Sequence, residues 1–196
     1  MPEIGAHGSD FFWQEIPALA LVETVGAQSL DQPTIVQMAW DEQEWRIRFT
    51  ATDAHPWATI TERDGPLHRE EVVEVFFDPC GDLMSYFEIE VNPLNTVCDL
   101  VLRKNRSGII KDFGWHCEGL STVVQRTATG WIAELGIPFA SVAEGTPQPG
   151  AIWRANFLRI DRPPHREREL GAWSPTGLAQ FHVPARFGFV EFTEQA

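Results

Sequence analysis

The chain has 196 residues, 43% of them hydrophobic and 22% charged, which is the size of one domain with enough apolar content for a substantial core. Its formal charge of −13 argues against nucleic acid and anionic membrane surfaces as partners, since both reward clusters of Lys and Arg. No apolar run approaches the roughly 20 residues of a membrane span.

Taken in chain order, the N-terminus "MPEIGAHGSDFFW" has no basic segment followed by an apolar run, so no signal peptide is visible, and residues 1–10 read as a loose end. Alternation or short apolar runs then predict strands at Leu19–Glu23, Thr34–Trp40, Glu44–Thr52, Glu71–Asp78, Tyr86–Asn92, Val97–Leu102, Thr122–Thr127, Trp131–Ile137, Ile152–Ile160 and Phe187–Phe192. Turn chemistry separates them in "DEQ", "DPCGD", "NPLN", "ATG" and "PQPG". "PFASVAEG", residues 138–145, offers one or two helical turns. "RIDRPPHRERE", residues 159–169, alternates Arg with acids, contains two prolines and reads as a solvated loop. No stretch holds a 3.6-residue period over three turns. About ten short strands in one domain spanning 1–196 predict an all-β fold with little helix: a two-sheet antiparallel β-sandwich of the jelly-roll or immunoglobulin-like kind.

Cys80, Cys98 and Cys117 are odd in number and loosely spaced, which predicts free thiols and a reducing compartment. The sequence as given therefore suggests a cytoplasmic protein, or an extracellular one if an export segment has been trimmed away. None of the spacings is a zinc pattern. Eight Trp exceed what core packing requires, so some are expected to line a surface or cleft.

One strand raises a question of chemistry. In "EEVVEVFFDP", residues 70–79, Val73, Val75 and Phe77 point one way and Val72, Glu74 and Phe76 the other. The next strand, "YFEIEVNP", sets Phe87, Ile89 and Val91 against Glu88, Glu90 and Asn92. A short link makes the two a hairpin whose apolar faces must coincide, so Glu74 lies across from Glu88 or Glu90. Like charges opposite each other destabilise a sheet, and something must offset them: an Arg, a bound cation or a wet cleft. Arg48 on "WRIRFTAT" and Arg154 with Asn156 on "WRANFLRID" are candidates for the same face. Acids, amides and guanidinium groups on one plane suit paired sugar hydroxyls, with aromatic rings for the apolar sugar faces. The bland alternative is an ordinary half-exposed sheet.

The blocks "EEVVEVFFDP", "YFEIEVNPLN", "GWIAELGIPF", "WRANFLRID", "AWSPT" and "FHVPARFGFVEF" resemble the family 9 carbohydrate-binding modules and their DOMON-like relatives, from about Trp13 to Phe192. The resemblance implies a sandwich that binds glycan ends or small saccharides, or a sugar-like polyol. In the xylanase-attached members two Trp clamp a terminal sugar, helped by a strand Glu, an Arg and amides, and structural calcium is present. The strand Glu falls on Glu74. The clamp positions fall near His68 in "GPLHREE" and Phe181 in "AQFHVPARFG", and the family's Arg falls at Glu90, so clamp and Arg are altered. Trp57 in "DAHPWATIT" and Trp173 in "AWSPT" are further platform candidates.

Other classes remain open on residues alone. Glu74 with Glu88 or Glu90 is the carboxyl pair a glycoside hydrolase needs, with His68 and His182 as proton carriers. The haem-binding DOMON-like relatives need axial Met and His, and no C-x-x-C-H motif is present. No cofactor is expected, although Asp41, Glu42, Asp78, Asp82 and Asp161 offer oxygen ligands for calcium. Turn chemistry explains such acids equally well.

Overall fold

The computed structural model describes residues 10–163 and 166–193. The elements run α1 (Asp10–Glu15), β1 (Leu19–Ala20), β2 (Val22–Glu23), β3 (Thr34–Trp40), β4 (Glu44–Thr52), β5 (Val72–Asp78), β6 (Ser85–Val91), β7 (Val97–Asn105), β8 (Gly108–Asp112), β9 (Ser121–Thr127), β10 (Gly130–Pro138), α2 (Phe139–Val142), β11 (Ile152–Asp161), β12 (Glu169–Ala172) and β13 (Gly188–Glu191). One sheet has the order β1-β3-β4-β10-β9. The other has the order β2-β12-β11-β5-β6-β7-β8, and β13 shares one edge of β11 with β12. All pairings are antiparallel, so the all-β sandwich holds. No helix among the described residues is long and apolar enough to cross a membrane.

Alternation decides what lies between the sheets. Trp45, Ile47, Phe49 and Ala51 of β4 face Val73, Val75 and Phe77 of β5 in one apolar cluster. Trp45 meets Phe77, Trp153, Phe157 and Phe192 edge-on at 5.8, 5.9, 5.8 and 6.1 Å, the geometry that the aromatic quadrupole favours. None of the eight Trp is fully exposed, and Trp40, Trp57, Trp115 and Trp173 are half-buried.

Three elements differ from expectation. The predicted strand Leu19–Glu23 is two: β1 pairs with β3, the chain crosses the sandwich at buried Leu21, and β2 pairs with β12 in the other sheet. β8 was not visible because neither face is covered, so burial selects no alternation. Arg159 and Asp161 of the predicted solvated loop belong to β11 and are buried at 1% and 3% exposure. Residues 164–165 of that stretch lie outside the described residues. All three cysteines are free, with Cys98 and Cys117 buried.

Both sheets have a second covered face. On the five-stranded sheet, α1 docks Trp13 and Ile16 beside Ala39, and the Gln37 amide donates to the carbonyls of Trp13 and Ile16 at 2.5 and 2.8 Å. On the eight-stranded sheet, Val72, Phe76 and Tyr86 are roofed by Leu67 from the segment before β5 and by Phe181 and Phe187 from the segment after β12. This roof makes the carboxyl face of β5 and β6 an interior.

Candidate functional site

The β5–β6 register sets Glu74 opposite Glu90 and Phe76 opposite Glu88. All three carboxyls therefore project from one side of the sheet, at 2% exposure each. Tyr86 precedes Glu88 on the same side by the two-residue period, and its hydroxyl bonds His182 Nδ1 at 2.9 Å. His182 lies flat on Phe76, with ring centroids 5.2 Å apart and planes 21° from parallel. Its Nδ1 is 3.9 Å from Glu88 Oε2, and Lys111 Nζ on β8 reaches the same oxygen at 3.8 Å. Glu88 Oε2 and Glu90 Oε2 meet no N–H or hydroxyl donor.

Burial dominates the electrostatics. It pushes Glu74 and Glu90 well above the usual carboxyl range, Glu88's charge adding to both, and it raises Glu88 as well. Glu88 and Glu90 stand two residues apart on the same side of β6, so each is felt by the other. Burial pushes His182 down to about 4, with Lys111 and His68 adding repulsion, so its ring is neutral near pH 7. His68 is lowered too, by burial first and then by the charges of Lys111, Arg69 and Arg162. Lys111 and His182 thus both stand at Glu88, and the charge of Lys111 reaches both His182 and His68.

The other residues singled out by sequence fall elsewhere. His68 stands exposed on the 3-10 turn Leu67–Arg69 at the rim. Phe181 packs inside the roof at 6% exposure, and its neighbour His182 is the ring that faces the acids. Asn156 shares the carboxyl face, but its amide donates to the Ser174 carbonyl at 2.8 Å and accepts from the Ser174 N–H at 2.9 Å, fixing the chain after β12. The Trp57 indole N–H donates to the Arg162 carbonyl at 2.7 Å. Trp173 packs on Phe157 at 5.6 Å, on the inner side of the sheet, and is no platform for the carboxyl face. Arg48 is corrected outright: it lies on the outer face of the five-stranded sheet, beside Glu134 at 3.6 Å and 5.8 Å from the Trp13 ring centroid, across the sandwich from Glu74. Tyr86 and Lys111 were missed. Strand alternation could have found Tyr86, but nothing marked β8 or its lysine.

A second acid group joins Asp53, Glu71 and Asp161, whose carboxylate oxygens lie within 4.8 Å of one another. Calcium takes six to eight oxygens, and this set does not fit it. Arg159 Nη2 already donates to Asp53 Oδ2 at 2.8 Å and to Asp161 Oδ1 at 3.2 Å. Asp53 Oδ1 accepts the His55 N–H and Glu71 Oε2 the Trp57 N–H. Glu71 Oε1 meets no N–H or hydroxyl donor, and burial first, then Asp53, pushes Glu71 up to about 9. Of the other acids named for calcium, three cap turns: Asp41 accepts the N–H groups of Gln43 and Glu44, Asp78 those of Gly81 and Leu83, and Asp82 that of Met84. The group Asp64, Asp99 and His116 likewise holds a guanidinium, with Arg63 at 2.5 Å from Asp99.

A family model described as carbohydrate family 9 binding domain-like matches residues 4–195. Among solved structures, a Bacteroides uniformis ATCC 8492 protein assigned as carbohydrate-binding is similar at 19% identity and a TM-score of 0.72, with 91% of this chain and 87% of that chain covered. A family 9 carbohydrate-binding module from Caldicellulosiruptor kristjanssonii in complex with cellotriose is similar at 16% identity and a TM-score of 0.71, with 100% and 91% covered. The glucose complex from the same organism gives 16% identity and a TM-score of 0.69, with 100% and 93% covered. At these identities the structural likeness speaks for the fold. No curated protein matches.

Proposed function

This chain belongs to the carbohydrate family 9 binding domain-like family, and from that membership we propose that it binds carbohydrate without transforming it. The ligand is a glycan end or small saccharide, held where the strip of Glu74, Glu88 and Glu90 meets solvent beside His182 and His68. The observation that carries this is the pairing of polar groups lacking donors with a flat ring: Glu88 Oε2 and Glu90 Oε2 await donors, and His182 on Phe76 supplies a wall for an apolar sugar face. Ligands named for the similar solved modules, cellotriose and glucose, carry both features. A hydrolase would need its two carboxyls to flank the scissile bond. Glu74, Glu88 and Glu90 instead project from one side of a single sheet, an arrangement suited to hydroxyl recognition.

Calorimetry with glucose, cellobiose and cellotriose, beside a reducing-sugar release assay, tests the reading. The wild type is expected to bind saturably with no release. Glu74→Gln should weaken binding by about 1 to 3 kcal/mol, the range for a hydrogen bond to a charged or desolvated group. Absence of saturable binding to any saccharide, or sugar release that Glu74→Gln abolishes, would overturn it.

A further inference from the structure

We infer that the preferred ligand of this face is an amino sugar, whose ammonium group enters among Glu74, Glu88 and Glu90. The inference rests on the carbohydrate-binding reading above and names the ligand class for the same site. Its starting point is an imbalance. Around the strip stand Glu74 from β5, Tyr86, Glu88 and Glu90 from β6, Cys98 from β7, Lys111 from β8, His68 from the 3-10 turn and His182 from the roof. Three of these are acids buried to 2% exposure. Among the described residues only Lys111 brings a cation near them, and at 3.8 Å from Glu88 Oε2 it stops short of a hydrogen bond. His182 is neutral near pH 7 and contributes no charge.

A second observation points into the strip rather than merely counting acids. Glu88 Oε2 and Glu90 Oε2 are buried and face no donor. Buried acceptors without donors are costly, and a hydroxyl-bearing sugar can answer them with hydrogen bonds but not with charge. An ammonium group suits the neighbouring acceptors Glu88 Oε2 and Glu90 Oε2: it is compact, carries one positive charge and offers three donors. The route in is marked as well. Lys111 is about a third exposed on the edge strand, and the His182 side chain is 28% exposed, so Glu88 lies just behind the surface at the one place where a cation already approaches. His182 on Phe76 supplies a flat wall for the ring that carries the amine. Lys111 is then a tethered competitor, occupying the approach that the ligand amine would use.

Because burial keeps these carboxyls protonated beyond their usual range, an arriving ammonium drives them to ionise and releases protons to the buffer. Titration calorimetry at pH 7 in two buffers of different ionisation heat tests this with D-glucosamine and chitobiose, their N-acetylated counterparts, and glucose with cellobiose. The amines are expected to bind at least about tenfold more tightly than both sets of neutral sugars, with proton release only for the amines. Lys111→Met should tighten amine binding severalfold by removing the competitor, while Glu88→Gln should erase most of the preference. If Glu88→Gln fails to fold by circular dichroism, the exposed Lys111→Met carries the test alone. Equal affinity for acetylated, neutral and amine sugars overturns the inference and leaves the carbohydrate-binding reading standing. Weaker amine binding by Lys111→Met overturns it too, because Lys111 would then be a ligand contact. Failure of every saccharide to bind overturns both.

Discussion

Replacing Glu71 by Gln is expected to stabilise the fold at neutral pH. The residue is fully buried, its Oε2 accepts the Trp57 N–H at 3.2 Å, and its Oε1 has no hydrogen-bond partner beside Asp53. Gln has the same shape. Its carbonyl can keep the Trp57 bond, and its NH2 can donate to Asp53 without a proton having to be held there. The magnitude follows from the displaced ionisation. Glu71 is pushed up from 4.5 to about 9, so between those values the folded protein holds a proton that the unfolded chain has released. A raised acid helps the fold fully below pH 4.5, and that help is lost as pH rises towards about 9. At pH 7 the full penalty would be about 3 kcal/mol at 1.36 kcal/mol per pH unit. Gln must still bury an amide in place of the neutral acid, which brings the expected gain to about 2 kcal/mol. For a chain of this length that is a rise in Tm of about 4–8 °C. The assay is thermal unfolding of both proteins from pH 5 to pH 9. The gain should be small at pH 5 and widen steadily towards pH 9. A Tm difference that does not change with pH, or a Gln variant less stable at pH 7, would refute the reasoning.

Arg159→Met should destabilise by about 3–5 kcal/mol in urea at pH 7, because it strands Asp53 and Asp161 and removes donors from Thr34 Oγ1 and the Thr52 carbonyl. Arg159→Lys should recover less than half of that loss, since three ammonium protons cannot serve a fork of contacts that runs in several directions. His182, pushed down to about 4 by burial, should show no NMR titration of its ring protons between pH 8 and about 5.5. Its folded pKa lies below the ordinary 6.5, so its contribution to stability should fall as pH drops from 6.5 towards 4. A midpoint near 6.5 would mean that the ring sits in water and not on Phe76.

What the sequence made legible was the architecture within each strand. β3 and β4 have the predicted bounds, because one face of each is apolar at every second residue. The hairpin argument put Glu74 opposite Glu88 or Glu90, and the register chose Glu90. Alternation failed where it carries no information. It says which side of its own strand Arg48 takes but not which of two sheets the strand joins, and so Arg48 was put beside Glu74 when the sandwich separates them. It is silent in loops, where Phe181 and His182 are consecutive and nothing local says which ring turns inward. It also treats a polar face as a wet one. The roof of Leu67, Phe181 and Phe187 arrives from distant segments, so the burial of the carboxyls could not be read from β5 and β6 alone.

Two of the chain's acid clusters, set side by side, show why one is read as a ligand site and the other is not. Asp53, Glu71 and Asp161 have a buried guanidinium among them, and Arg159 is placed by β11 itself, so that cluster is closed by the chain's own chemistry. Glu74, Glu88 and Glu90 have a backbone register just as fixed, yet the cation that approaches them sits on an exposed edge strand and stops at 3.8 Å. A fold that needed those acids only for structure would be served better by apolar residues of the same size, since burying carboxyls without donors opposes folding. The penalty persists at the edge of the roof, where His182 and Lys111 meet solvent, and a ligand with donors can relieve it there. Stability given up at that one place, and offset by an internal arginine at the other, is the physical ground for assigning binding to the β5–β6 face.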